Sequence, residues 1–312
     1  MYSGWYHVEQ VNKSRPCLVA GPSVKIVLID FHTHTTASDG ALQPGEIVAR
    51  ALDSGVGLLA ITDHDTVAGY RAAAEHYTPK EQGMRLIPGI ELSCQWSGTT
   101  IHILGLGVDC EHPALAAGLV TMNVARRKRG ERIGEKLAVR GFPGALEGAL
   151  LHAGESQLGR PHFAAWMIEQ QHVSDFNEAF DRHLGQGKPG DVKAFWPELA
   201  EVTAWIEQSG GAAVIAHPLK YRFTGMKLRR LIIDFVAAGG SGIEVLSGRQ
   251  TQDQTAHLKR LAQEYQLEIS VGSDFHRDSP YSAPLGVELS PFEGLPGVWE
   301  RWAVQTDSPP SE

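Results

Sequence analysis

Five apolar runs in this chain each lead directly into residues that bind metals. Residues 24–29 open onto Asp30-Phe31-His32-Thr33-His34, residues 57–61 onto Thr62-Asp63-His64-Asp65, and residues 85–90 onto Glu91. Residues 212–215 open onto Ala216-His217-Pro218, and residues 268–272 onto Ser273-Asp274-Phe275-His276. A single His-x-His carries little weight, but five such endings argue for a multinuclear metal centre and hence a hydrolase. The runs show little polar alternation, so they read as strands buried on both faces and therefore parallel. Parallel strands that carry ligands at their C-terminal ends form a barrel whose chemistry sits at one mouth.

The spacing within the endings has a physical reason. Side chains alternate along a strand, so His32 and His34 point the same way. Asp274 and His276 do so too if their strand runs through them. Imidazole and carboxylate together suit zinc, manganese or iron better than calcium or magnesium. None of the ligand positions is a cysteine, which argues against a structural thiolate zinc site. The bland alternative is a scatter of core and loop histidines. Unpaired imidazoles clustered and buried at strand ends would be costly, which favours the metal reading.

The 312 residues suffice for one large α/β domain with an insertion. The net charge of −8 does not favour duplex DNA as a partner, though it leaves room for a small phosphorylated substrate held by local arginines. No apolar run reaches the roughly 18 residues of a membrane span, so no membrane partner is expected. The three cysteines, Cys17, Cys94 and Cys110, are few and odd in number, which reads as a reducing, cytoplasmic compartment.

Along the chain, residues 1–24 read as an N-terminal extension. Strands are predicted at 25–30, 57–62, 85–90, 101–107, 212–217, 242–246 and 268–272. Helices are predicted at 44–54, 67–81, 197–208, 228–238 and 251–265. Pro44 and Pro197 sit at first-turn positions, which proline tolerates. Between 109 and 190 the strand pattern stops and helices are predicted at 114–140, 162–171 and 173–184. The domain organisation is therefore a barrel built from 25–110 and 190–292, a helical insertion at 111–189 capping its mouth, and a tail from 293 to 312. In that tail Trp299 and Trp302 are candidates to pack as a short final helix.

At this point the motifs are recognisable. Asp30-Phe31-His32-Thr33-His34, Ser38-Asp39-Gly40, Ile61-Thr62-Asp63-His64-Asp65, Pro88-Gly89-Ile90-Glu91, Ala216-His217-Pro218 and Gly272-Ser273-Asp274-Phe275-His276 resemble the PHP (polymerase and histidinol phosphatase) superfamily. The likeness covers roughly residues 25–290 in order. The stretches Ile101-His102-Ile103-Leu104-Gly105-Leu106, Pro143-Gly144-Ala145-Leu146-Glu147-Gly148-Ala149, Gly159-Arg160-Pro161-His162-Phe163-Ala164 and Gly185-Gln186-Gly187-Lys188 are similar to one branch of it. That branch comprises 3′,5′-nucleoside bisphosphate phosphatases with 5′→3′ exoribonuclease activity on short RNA. The implied fold is α/β, a distorted (β/α)7 barrel with a helical subdomain over the active site.

The resemblance also implies two or three divalent metal ions, manganese foremost, with iron or zinc as alternatives. The first would be held by His32, His34, Glu91 and Asp274. The second would share Glu91 and add His102 and His217, and the third would take Asp39, His64 and His276. The implied reaction is attack on phosphorus by a hydroxide bridging two metals. Asp65 and His276 are the candidate catalytic residues. Asp65 would serve as a proton shuttle, or else simply cap the helix starting near Val67. Asp63, Asp65 and Glu244 are candidates to orient imidazoles from behind.

Candidate substrate contacts are Arg126, Arg129, Arg160 and His162. Arg126 and Arg129 are three apart on one helix and share a face with Ile133 and Leu137, which points them inward rather than to solvent. Arginine suits bidentate phosphate recognition. Arg160 and His162 flank Pro161 at a helix start. Lys220, close after His217, could reach a phosphate from the rim. The expected partner is a nucleoside bisphosphate or short single-stranded RNA. The rival readings are histidinol phosphate phosphatase, another small phosphomonoesterase, or a non-catalytic regulatory module.

Overall fold

The two-residue step from Trp96 to Thr99 decides the topology of half the sheet. Ser97 and Gly98 both have positive φ, 47° and 73°, as a type I′ hairpin turn requires. Strand β3 (Arg85–Trp96) therefore turns straight back into β4 (Thr99–Leu106), with Trp96 opposite Thr99 and Gly89 opposite Leu106. A parallel neighbour would need a crossover of about a dozen residues or more, which this link cannot supply. The all-parallel expectation is thus corrected, for β4 runs antiparallel to β3 and to β5 (Ala212–Ile215).

The computed structural model describes residues 28–77, 83–192 and 196–303. The expected N-terminal extension and the last residues of the tail lie outside them. The remaining strands are β1 (Leu28–Asp30), β2 (Val56–Ile61), β6 (Gly242–Ser247), β7 (Glu268–Gly272) and a short β8 (Val287–Glu288). The sheet order is β7-β6-β5-β4-β3-β2-β1-β8. The seven expected strands are all present, and β8 adds an antiparallel edge beside β1. The chain beyond β1 reaches back to the chain beyond β7. Phe31 N–H donates to Val271 at 3.2 Å and His34 N–H to Phe275 at 2.9 Å, so the sheet nearly closes on itself.

Helices cover the outside. α1 (Pro44–Asp53) carries proline in its first turn, and Glu46 reaches back to accept from the Gln43 N–H at 2.7 Å. With α2 (Ala68–Glu75) it packs on β2 through Ile47, Ala51 and Ala73. Between β4 and β5 the chain builds α3 (Pro113–Ala138), α4 (Ala145–Ala153), α5 (Arg160–Glu169) and α6 (Phe176–Ala179), then a π turn at Phe180–Leu184. The helix expected at 173–184 is therefore split in two. These helices have their own apolar core around Phe163, Leu137, Met167 and Ala149.

α7 (Leu199–Gln208), α8 (Gly225–Ala237) and α9 (Gln252–Glu264) then flank the strands from β5 onward. Their buried faces, including Ile206, Phe235 and Leu258, join the main barrel core. The short α10 (Glu300–Ala303) sets the edge of Trp302 on Phe31, ring centres 5.5 Å apart. Among the described residues no helix is long and apolar enough to cross a membrane.

Candidate metal centre

One carboxylate organises the barrel mouth. Glu91 lies in the middle of β3, not at its end as the pattern suggested, because the strand runs on into the hairpin. His102 likewise lies within antiparallel β4, one register step away, where it pairs with Ser93. Glu91 is fully buried. Its Oε1 is 2.8 Å from His102 Nδ1 and 2.8 Å from His217 Nε2. Its Oε2 is 3.2 Å from His32 Nε2, 3.2 Å from His34 Nε2 and 3.1 Å from His64 Nδ1. Five imidazoles, from the ends of three strands and from one hairpin strand, thus converge on one side chain.

The backbone bends to achieve this. His217 and Asp274 have φ of 29° and 52°, and Asp65 has 54°, all left-handed conformations that cost non-glycine residues free energy. β7 stops at Gly272, so Asp274 and His276 reach the centre through this turn and not through strand alternation. Gly272 itself is obligatory, since a Cβ there would sit 2.4 Å from the His32 Cβ. Asp30 ties the two loops together, accepting from Ser273 N–H and Gly286 N–H at 2.9 Å each.

Around Glu91 the other expected ligands gather. Asp274 Oδ1 is 3.5 Å from His32 Nε2, 3.6 Å from His34 Nε2 and 3.5 Å from His276 Nδ1. Asp39 lies 3.4 Å from His276 Nε2 and 3.9 Å from His64 Nε2. All nine expected side chains fall into groups whose ligand atoms lie within 4.8 Å of one another. The groups are His34-Asp39-His64-His276, His32-His34-Glu91, His32-His217-Asp274 and His64-Glu91-His102.

The donor set fits divalent cations on its own terms. His32 Nε2, both nitrogens of His34, His64 Nδ1, His217 Nδ1 and Glu91 Oε2 are buried with no hydrogen-bond partner. Buried polar atoms are seldom left so, and these point at one another's space. Burial pushes His217 down to about 4, although Glu91 opposes it, and burial with His34 nearby takes His276 to about 3. Both are therefore neutral, with lone pairs to offer. Burial would lower His32 as well, but the Glu244 and Glu91 carboxylates outweigh it and push it up to about 10. Burial would raise Asp39, yet His276, His64, His34 and Arg126 hold it well below the usual carboxylate range.

Supporting contacts are specific. Glu244 accepts from His32 Nδ1 at 2.9 Å and from the His217 N–H at 2.6 Å. Among the described residues Asp63 makes no hydrogen bond or close ion pair to an imidazole. It accepts from Thr35 N–H at 2.7 Å and Ser38 Oγ–H at 2.6 Å, which braces the turn carrying Asp39. Asp65 caps no helix. It accepts from Ser93 N–H at 2.6 Å and from Arg126 Nε–H at 2.6 Å.

A cavity of about 420 Å³ opens beside this centre, lined by His64 and His102 on one side and Arg126, Arg129 and Arg160 on the other. Arg126 also donates to Leu158 at 3.1 Å, Arg129 Nε to Val192 at 3.2 Å and Arg160 to Leu184 at 3.1 Å. Burial, with Arg160 and Arg126 alongside, lowers Arg129 to about 9, still cationic at neutral pH. His162 is not part of the lining. Its Nδ1 accepts from the Gly159 N–H at 3.0 Å, so it shapes the start of α5. Sequence reasoning missed Trp196, whose buried ring lies 5.6 Å from the Arg126 guanidinium and 5.8 Å from that of Arg129. It also missed Tyr221, whose hydroxyl accepts from His102 N–H at 2.9 Å and donates to Ala216 at 2.9 Å. No local pattern marks either residue.

Comparison with known proteins agrees with this geometry. The PHP domain family model matches residues 30–147. A 5′-3′ exoribonuclease of Haemophilus influenzae is 44% identical over 273 residues, 88% of this chain and 98% of that protein. A 3′,5′-nucleoside bisphosphate phosphatase of Chromobacterium violaceum is 40% identical over 249 residues, 80% of this chain and 87% of that one. A solved structure from Bifidobacterium adolescentis, described as that of a metal-dependent phosphoesterase, superposes with a TM-score of 0.72 at 26% identity. It covers 86% of this chain and 92% of that one.

Proposed function

The chain belongs to the PHP family of metal-dependent phosphoesterases, and from that premise we propose that it removes the 3′-phosphate of nucleoside 3′,5′-bisphosphates and shortens 5′-phosphorylated RNA from its 5′ end. The observation that carries this reading is the cavity that joins the imidazole–carboxylate centre to three arginines. One charged end of a substrate meets the centre while a second phosphate meets the guanidinium groups. Binding energy at the remote phosphate then supports chemistry at the 3′ side. The site of action in the cell is read as the cytoplasm.

The residues divide the work. His32, His34, Asp39, His64, Glu91, His102, His217, Asp274 and His276 would hold two or three divalent ions, manganese foremost. Bound there, the ions supply positive charge that acidifies coordinated water and neutralises phosphate oxygens. Glu244 fixes the His32 tautomer by accepting its Nδ1 proton, which aims Nε2 at the centre. Arg129 and Arg160 receive the 5′-phosphate. Asp65 holds Arg126 in the same wall, and His276 is a candidate to contact the reacting phosphate.

Turnover by the manganese-loaded protein tests the reading. Adenosine 3′,5′-bisphosphate and a 5′-phosphorylated trinucleotide should be hydrolysed well, the 2′,5′ isomer and histidinol phosphate poorly. Preference for histidinol phosphate would replace the reading with that of a small phosphomonoesterase. No turnover of any of them would leave a non-catalytic module. A second measurement addresses Glu244. Glu244→Gln should weaken Mn2+ binding about 10- to 100-fold, the usual cost of losing a carboxylate behind a ligating imidazole. Unchanged affinity by calorimetry would assign Glu244 to packing alone.

A further inference from the structure

Asp274 is claimed twice. It belongs to the His32-His217-Asp274 group able to hold a cation, yet its Oδ2 already accepts an ion pair from Lys220 Nζ. Lys220 sits on a short 3-10 turn, Pro218–Tyr221, directly after His217. The turn is fixed: Lys220 N–H donates to the His217 carbonyl at 2.9 Å and Tyr221 is pinned to His102 and Ala216. The Lys220 side chain is held only at its tip, by that ion pair. It is 57% exposed, whereas Asp274 is 5% exposed. Lys220 also lines the cavity that holds Arg126, Arg129 and Arg160.

These facts make Lys220 an exchangeable cation on a rigid mount. An ammonium and a divalent ion cannot both sit against one carboxylate without strong repulsion. A divalent ion can also take lone pairs from His32 and His217 while it holds Asp274, three ligands at once, whereas the Lys220 ammonium pairs with the carboxylate alone. Displaced from Asp274 on its four-carbon stem, the Lys220 ammonium still faces the cavity, where a substrate phosphate is the anion at hand. We propose that Lys220 changes partners, pairing with Asp274 in the metal-free protein and with the reacting phosphate once metal is bound. It therefore opposes metal binding and favours substrate. The second half rests on the phosphoesterase reading above.

Two substitutions in the full chain test this. Lys220→Met keeps the length and removes the charge, and Lys220→Arg keeps the charge. In a calorimetric titration of the metal-free protein with Mn2+, Lys220→Met should bind about 3- to 20-fold more tightly, the range for removing a competing, part-exposed cation. At saturating Mn2+ the same variant should lose about 10-fold in kcat/KM on adenosine 3′,5′-bisphosphate, as expected for one charge-assisted phosphate contact. Lys220→Arg should stay near wild type in both. Equal or weaker Mn2+ binding by Lys220→Met would overturn the exchange at Asp274. Unchanged kcat/KM at saturation would overturn the phosphate contact. If the wild-type protein hydrolyses no phosphoester, the functional reading and the phosphate half fall together, and the Mn2+ titration still decides the Asp274 half.

Discussion

Glu91→Gln is expected to lower kcat for phosphoester hydrolysis by about 10³-fold or more, the scale of loss when an essential group of a metal-assisted hydrolase is removed. The change is nearly isosteric, so packing around β3 should survive. What it removes is the one negative charge that all five imidazoles share at 2.8–3.2 Å. An amide offers one weak oxygen and adds two N–H donors that face imidazole nitrogens. Burial would raise the Glu91 carboxyl, yet His64, His32 and His102 hold it well below its ordinary value, so it is ionised at every working pH. The variant should therefore bind less metal as well as turn over more slowly. Metal content measured by elemental analysis, with circular dichroism to check folding, separates the two effects. A folded Glu91→Gln protein with full metal content and near-normal kcat would place the chemistry in a different part of the molecule.

Much of this centre was legible in the sequence because the barrel puts its ligands where apolar runs stop. His32, His34, His64, His217 and Asp274 each follow such a run; the structure brings the four histidines to Glu91 and sets Asp274 beside His32 and His34. Chain direction was less legible. Apolar periodicity reports burial and says nothing about which way a strand runs. The Ser97-Gly98 pair held the needed signal, and with it the antiparallel β4 and the mid-strand place of Glu91 follow. Two further features had no local mark. The Asp65–Arg126 pair joins residues 61 positions apart, and Trp196 lies under two guanidinium groups from a separate segment. His162, a candidate substrate contact, lies outside the cavity lining and has a local partner instead. A histidine three residues past a helix-initial glycine can cap that glycine's N–H, and here it does.

Arg129→Ala is expected to cost about 10- to 150-fold in kcat/KM on a 5′-phosphorylated substrate, the equivalent of 1.5–3 kcal/mol for one charge-assisted contact. The structure favours Arg129 over its neighbour for this task. Arg126 is committed, with Asp65 taking Nε and a second nitrogen at 2.6 Å and Leu158 taking a third. Arg129 gives only its Nε to Val192, and among the described residues its two terminal nitrogens have no protein acceptor. Its guanidinium lies over Trp196, which presents those nitrogens as a planar fork, the geometry that matches two phosphate oxygens. Asp65 sits between the two functions, next in sequence to His64 and bonded to Arg126, so the phosphate wall is tied mechanically to the centre. A loss confined to 5′-phosphorylated substrates is therefore the informative result. A 3′-mononucleotide, which has no 5′-phosphate, should be hydrolysed by Arg129→Ala almost as well as by the wild type. Equal losses on both substrates would mean that Arg129 supports the wall or the metal ligands behind it. Equal retention on both would return α3 to an ordinary charged face, and the 5′-phosphate would have to be held elsewhere in the cavity.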